Sequence, residues 1–138
     1  MRPWKRHGEE PRIVGCADTA EVLARTLEAV RAFRASGRKT LGILHVSDEL
    51  AARYAELLSR DVDVHLLTER TETFEEGVSV ASVKMAKGLE FDEVVVLDAD
   101  ERFFSTELER TLLYVAVTRA LHRLTVLHRG RPSRFLAG

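Results

Sequence analysis

The stretch VSVASVKMAKGLEFDEVVVLDAD, from Val78 to Asp100, reads as strand, turn, strand. Val78, Val80 and Val83, and then Val94, Val95, Val96 and Leu97, form β-branched and aliphatic runs of the length of strands covered on both faces. Between them Met85-Ala86-Lys87-Gly88-Leu89-Glu90 gathers a cation, a glycine and a carboxylate into one turn or short helix. The pattern puts these residues at the carboxyl end of a buried strand, where an open parallel sheet binds its ligands.

Upstream of this stretch, strand and helix patterns alternate. Thr68 to Gly77 is a polar, acidic connection, and Val62 to Leu67 is an expected strand with His65 inside it, a packed or edge position. Before it, Ser47 caps a helix with Tyr54, Leu57 and Leu58 on one face, and Leu41 to Val46 is a buried strand. Val22, Leu23, Leu27, Val30 and Phe33 repeat at helical spacing between a cap at Asp18 or Thr19 and a stop at Ser36-Gly37, after a first strand over Arg12–Cys16. Residues 1–11, MRPWKRHGEEP, read as a linker in which Trp4 has either this domain or something outside it to dock on.

Downstream, Ser105 and Thr106 are both possible N-caps, and Thr106 with Glu109 has capping-box spacing. Leu108, Leu112, Leu113, Val115, Ala116 and Leu121 then carry an apolar helix face to about Ala120. Arg123 to His128 is the last strand, Gly130 to Pro132 ends it, and Ser133 to Leu136 is a short docking tail. Buried strands alternating with helices predict one α/β domain over residues 12–138, with three layers around a mainly parallel central sheet.

Composition bounds the function. The chain has 138 residues, 45% hydrophobic and 31% charged, enough for one real core. A net charge of -1 excludes nucleic-acid binding by bulk electrostatics, so any such contact is local. Arg119, Arg123, Arg129, Arg131 and Arg134 follow one another with no acidic residue between, and Arg2, Lys5, Arg6 and Arg12 open the chain; these are basic patches or solvated ends. The lone Cys16 allows no internal disulfide, offers no metal-site spacing and reads as a small core residue. No apolar run is long enough to span a membrane and the first residues lack a signal-peptide stretch, so the expected location is cytoplasmic.

Two segments resemble one family. Residues 78–98 are similar to motif V of superfamily 1 helicases of the UvrD/Rep type, in the run Lys87-Gly88-Leu89-Glu90-Phe91. Residues 109–120 are similar to motif VI, in the run Tyr114-Val115-Ala116-Val117-Thr118-Arg119-Ala120. Leu41 to Ser47 lies where the motif IV strand belongs, and the connection Leu66 to Gly77 with the ending Ser133-Arg134-Phe135-Leu136 resembles the HelD, helicase-IV-like branch. The resemblance implies the C-terminal RecA-like domain, a P-loop NTPase-type fold that lacks its own P-loop.

For individual residues, too, the resemblance implies roles. Arg119 would be an arginine finger for the γ-phosphate of ATP, Glu90 would bond the ribose, and Gly88 would let the backbone approach the phosphates. Ser82 and Lys84 stand where the family has a Thr and a His against the nucleic-acid backbone, and both keep a donor for phosphate. Lys87 would support the turn or make an ion pair. Glu109 and Arg110 would orient the motif VI helix through ion pairs, or Glu109 would simply cap it. Tyr114 reads as core or interdomain packing rather than a nucleobase platform.

The resemblance also has gaps. Motif IV commonly carries a Tyr-Arg pair, and here the positions read His45-Val46. The stretch between motif IV and motif V is too short for the large 2B insertion of UvrD, so unwinding by that arrangement is not expected. No GxxxxGK[ST] phosphate loop occurs, and Asp98-Ala99-Asp100-Glu101 reads as a solvated loop rather than an acidic Mg²⁺ motif. The expectation is a piece of a longer motor, with ATP and Mg²⁺ shared with an N-terminal RecA-like domain, DNA or RNA as the track, RNA polymerase as a further candidate client and no signal against a monomer. The competing readings are a non-catalytic helicase-like module docking on RNA polymerase or another protein, and an unrelated doubly wound domain that binds ATP alone.

Overall fold

A computed structural model describes residues 10–71 and 73–136. Trp4 and most of the expected linker over residues 1–11 lie outside the described residues. The elements run β1 (Arg12–Cys16), α1 (Thr19–Ser36), β2 (Thr40–His45), α2 (Asp48–Leu58), β3 (His65–Leu66), β4 (Gly77–Ser82), β5 (Phe91–Val96), α3 (Glu107–Val117), β6 (Ala120–Arg129) and a 3-10 turn at Arg134–Leu136.

Local chemistry sets the helix ends. Asp18 caps α1 by accepting from the Glu21 N–H at 2.9 Å, while the Glu21 carboxylate takes the Ala17 N–H at 2.7 Å, and Gly37 closes the helix at φ 76°. Ser47 caps α2 by accepting from Leu50, and Thr106 opens α3 with a complete capping box to Glu109. Each cap lies between a strand and an apolar helical stripe, so it fixes where one period gives way to the other.

The six strands lie in the order β1-β6-β5-β2-β4-β3, and every neighbouring pair is parallel. Antiparallel pairing among the described residues is confined to the single Asp100–Pro132 bridge. Alternation along the strands divides the core between two faces. Leu41, Ile43, Val78, Val80, Val95 and Leu97 meet α1 and α2, whereas Leu44, Ala81, Val94 and Val96 meet α3 and the C-terminal turn. The domain therefore has the three layers expected from the alternation of strands and helices.

Three boundaries differ from expectation. The strand expected over Val62–Leu67 shrinks to His65–Leu66, both exposed, because β3 lies at the sheet edge with β4 as its single neighbour. Helix α3 stops at Val117, and β6 begins at Ala120, so the strand is longer than Arg123–His128. Most consequential is the motif-bearing connection from Val83 to Glu90. Strands β4 and β5 flank β2 and both run parallel to it, so this connection returns the chain from the carboxyl end of one strand to the amino end of the other. Val83, Ala86 and Leu89 pack on the α3 face during that return. The expectation that Lys87, Gly88 and Glu90 all sit at the carboxyl end is corrected: Glu90 is delivered to the amino edge, because β5 is a parallel strand rather than a hairpin partner.

Candidate functional site

The descent of motif V joins two residues far apart in sequence. Phe91 stands opposite Ala120 in the β5–β6 register, and the Phe91 N–H donates to the Arg119 carbonyl at 2.9 Å. Glu90 and Arg119 immediately precede these partners, so both lie at the amino edge of adjacent strands. Glu90 is exposed and Arg119 partly buried.

Arg119 is held but unspent. Its backbone N–H bonds the Ala116 carbonyl at 3.2 Å, and its terminal nitrogen makes one long contact of 3.4 Å with the Thr118 hydroxyl. Its Nε is buried and has no hydrogen-bond partner. A permanently charged guanidinium with five donors leaves such a site under-satisfied until an anion arrives. Gly88, at φ 87°, has nothing within 4 Å of the position a Cβ would take, so its backbone is open to a ligand in a conformation that suits glycine.

The supporting residues are placed as follows. Lys87 is exposed and makes no ion pair among the described residues. Glu109 accepts from the N–H groups of Ser105 at 3.0 Å and Thr106 at 3.1 Å, which hold its carboxyl below the usual range. It fixes the start of α3 as a cap. Arg110 pairs with Glu107 at 3.5 Å and lies over the Phe135 ring. Neither contact reaches Arg119. Tyr114 is 50% exposed, so it is not core within this domain and is free for packing against another.

At the opposite, carboxyl edge, Ser82 is buried, accepts from the Met85 N–H at 3.3 Å and lines a cleft together with Asp48. Lys84 Nζ lies 3.1 Å from Asp48 Oδ2. The nearby Ser82 hydroxyl first, and then the Lys84 ammonium, hold the Asp48 carboxyl below its ordinary range. A cleft of about 590 Å³ opens beside the group, lined by Leu67, Arg70 and Met85 among others. The amino edge and this carboxyl edge are the two ends of motif V, which therefore links them covalently.

At the same carboxyl edge lies a buried polar cluster that sequence reasoning missed. Asp98 and Asp100 are not in a solvated loop; they are 1% and 0% exposed. His45 Nε2 lies 2.8 Å from Asp98, and its Nδ1 accepts the Ser47 N–H at 2.9 Å, an arrangement that selects the neutral tautomer donating to the carboxylate. The Tyr54 hydroxyl donates to the same carboxylate at 3.2 Å. Asp100 takes a two-pronged bond from Arg102 at 2.8 and 3.0 Å and the Arg129 N–H at 2.9 Å. Helix α2 follows β2 on one face and α3 follows β5 on the other, so the cluster fills the crevice where an open sheet reverses its winding. The position occupied by ligand in many such sheets is here plugged by the protein's own groups.

That plug has a pH signature. Burial opposes ionisation of Asp98, but His45, Arg102 and Arg129 outweigh it and hold its carboxyl below the ordinary range. A depressed folded pKa contributes stability that is complete above the unfolded value, near about 3.9, and is lost as pH falls through the folded one. Thermal unfolding is expected to shift down steeply on acidification below that point. The Asp98→Asn variant, less stable at neutral pH, should show a shallower acid fall; an equally steep fall would assign the effect to other carboxylates.

Known proteins share this fold and part of this sequence. The family model of the UvrD-like helicase C-terminal domain matches residues 77–127, which span motif V, α3 and most of β6. In overall structure the chain is similar to the C-terminal domain of a possible DNA helicase from Lactobacillus plantarum WCFS1, with a TM-score of 0.84 and 29% identity over 94% of this chain and 80% of that one. The fold is that of a helicase C-terminal domain. DNA helicase II of Escherichia coli K12 and of Salmonella typhimurium LT2 are each 31% identical to it, over 49% of this chain. The aligned part covers 12% of either relative, so this chain spans a small share of their length.

Proposed function

We propose that this domain is the second motor domain of an ATP-driven DNA helicase or translocase, inactive alone and completed by a phosphate-loop domain that binds ATP and Mg²⁺. The observation that carries the reading is the placement of Glu90 and Arg119 on one edge through the Phe91–Ala120 register, the arginine having a buried Nε without a partner. Arg119 would meet the γ-phosphate, Glu90 the ribose, and the open backbone at Gly88 the phosphates. Hydrolysis would be electrostatic: a fixed cation acts on charge that develops during phosphoryl transfer. Closure of the cleft between the domains would bring Arg119 onto the nucleotide, and motif V would carry that movement to the Ser82 and Lys84 edge. The connection Leu66 to Gly77 and the tail Ser133 to Leu136 support a HelD-like placement within the group.

The ribose assignment separates binding from chemistry. In the complete motor, Glu90→Ala is expected to raise KM for ATP by about tenfold with kcat nearly kept, the cost of one charge-assisted hydrogen bond made equally in ground and transition states. The variant should also lose discrimination against nucleotides lacking a ribose hydroxyl. Wild-type KM and wild-type discrimination together would remove Glu90 from the site.

A further inference from the structure

Resting on the proposed nucleic-acid role of the carboxyl edge, we propose that Asp48 is a built-in competitor for nucleic-acid phosphate, setting how strongly this edge grips its track. Of the two side chains offered to a phosphate, the Lys84 ammonium lies 3.1 Å from the Asp48 carboxylate, and the Ser82 hydroxyl belongs to a residue lining the same cleft as Asp48. A carboxylate oxygen accepts the same donors as a phosphate oxygen, and the two anions repel each other, so they cannot share these groups. Asp48 holds the position a backbone phosphate would take.

The exposure of the pair shows that the competition is reversible. The side chains of Lys84 and Asp48 are 62% and 55% exposed, so the ion pair is weak and screened. A phosphate arriving along the cleft can displace the carboxylate from Lys84, whereas Ser82 is buried and stays with the turn through Met85. Asp48 therefore tunes affinity without blocking binding, a useful property where a strand must be released in each cycle. Because the competition is for phosphate, DNA and RNA single strands should respond alike.

The test is the binding of labelled oligo(dT), with oligo(U) in parallel, to the complete motor across a salt series. Asp48→Asn is expected to tighten binding by about three- to tenfold at low salt and to steepen the salt slope by about one. Lys84→Met should weaken binding and abolish the gain in the double variant. Glu49→Gln, the same charge change on the exposed neighbour, should give no gain. If Lys84→Met weakens binding while Asp48→Asn changes nothing, the competitor role is overturned and the nucleic-acid face stands. If neither variant alters binding, the reading of this edge fails with it. A gain from Asp48→Asn that persists without Lys84, or that Glu49→Gln reproduces, reduces the effect to net charge and also overturns the proposal.

Discussion

Arg119→Ala in the complete motor is expected to lower ATP turnover by roughly 10³- to 10⁵-fold while leaving ATP affinity within a few fold. The asymmetry comes from where the side chain stands. The backbone of Arg119 is fixed on both sides, by the Ala116 carbonyl and by the Phe91 N–H, so the residue emerges from a rigid junction between α3 and β6. Its guanidinium makes one long side-chain contact, and its Nε makes none. Such a group loses little when the domains are apart and gains most when charge accumulates on a transferring phosphoryl group. Arg119→Lys should rescue poorly, because an ammonium is a point charge and cannot replace the planar fork. Single-turnover hydrolysis alongside nucleotide binding distinguishes this from general damage. An unchanged turnover rate would end the assignment of Arg119.

Much of the fold and the site is legible in the sequence, and the rest is hidden for physical reasons. Caps announce themselves: Asp18, Ser47 and Thr106 each bond the backbone three residues on, a local interaction written in local sequence. The buried valine runs likewise mark β4 and β5 as central strands. The relation between those strands is hidden, because a short connection after a strand suggests a turn in place and only the common neighbour β2 makes it a crossover. Glu90 and Arg119 can be matched by motif, but their common edge depends on the Phe91–Ala120 register. Asp98 and Asp100 mislead for the opposite reason. Adjacent acids at a strand end usually face water, and their partners His45, Tyr54 and Arg129 come from three other elements, beyond any local pattern. The alternation of these acids with buried Leu97 and Ala99 is the available signal.

The second large effect concerns stability, and it starts from the first residue of β5. Phe91 is fully buried on the α3 face; its ring stands edge-on to Phe74 with centroids 5.1 Å apart. On the neighbouring strand, a Cβ added to Gly42 would come within 2.7 Å of that ring. Gly42 is thus the hollow that admits Phe91, and β2 carries no side chain there because the ring occupies its space. Phe91→Ala is expected to cost about 3–5 kcal/mol through lost transfer energy and a residual cavity, among the largest effects of any single change in this core. Gly42→Ala alone should cost about 1–3 kcal/mol by overpacking against an aromatic ring fixed by its neighbours. Combined, the two changes should be less harmful than their sum by about 1 kcal/mol or more, since removal of the ring vacates the position the new methyl needs. Denaturant unfolding of the four proteins gives this coupling directly. Strict additivity would mean that Phe91 already moves away from Gly42 at little cost, and that the start of β5 is not locked to β2. A large coupling would tie the placement of Glu90, one residue earlier, to the packing of a ring on a glycine in the neighbouring strand.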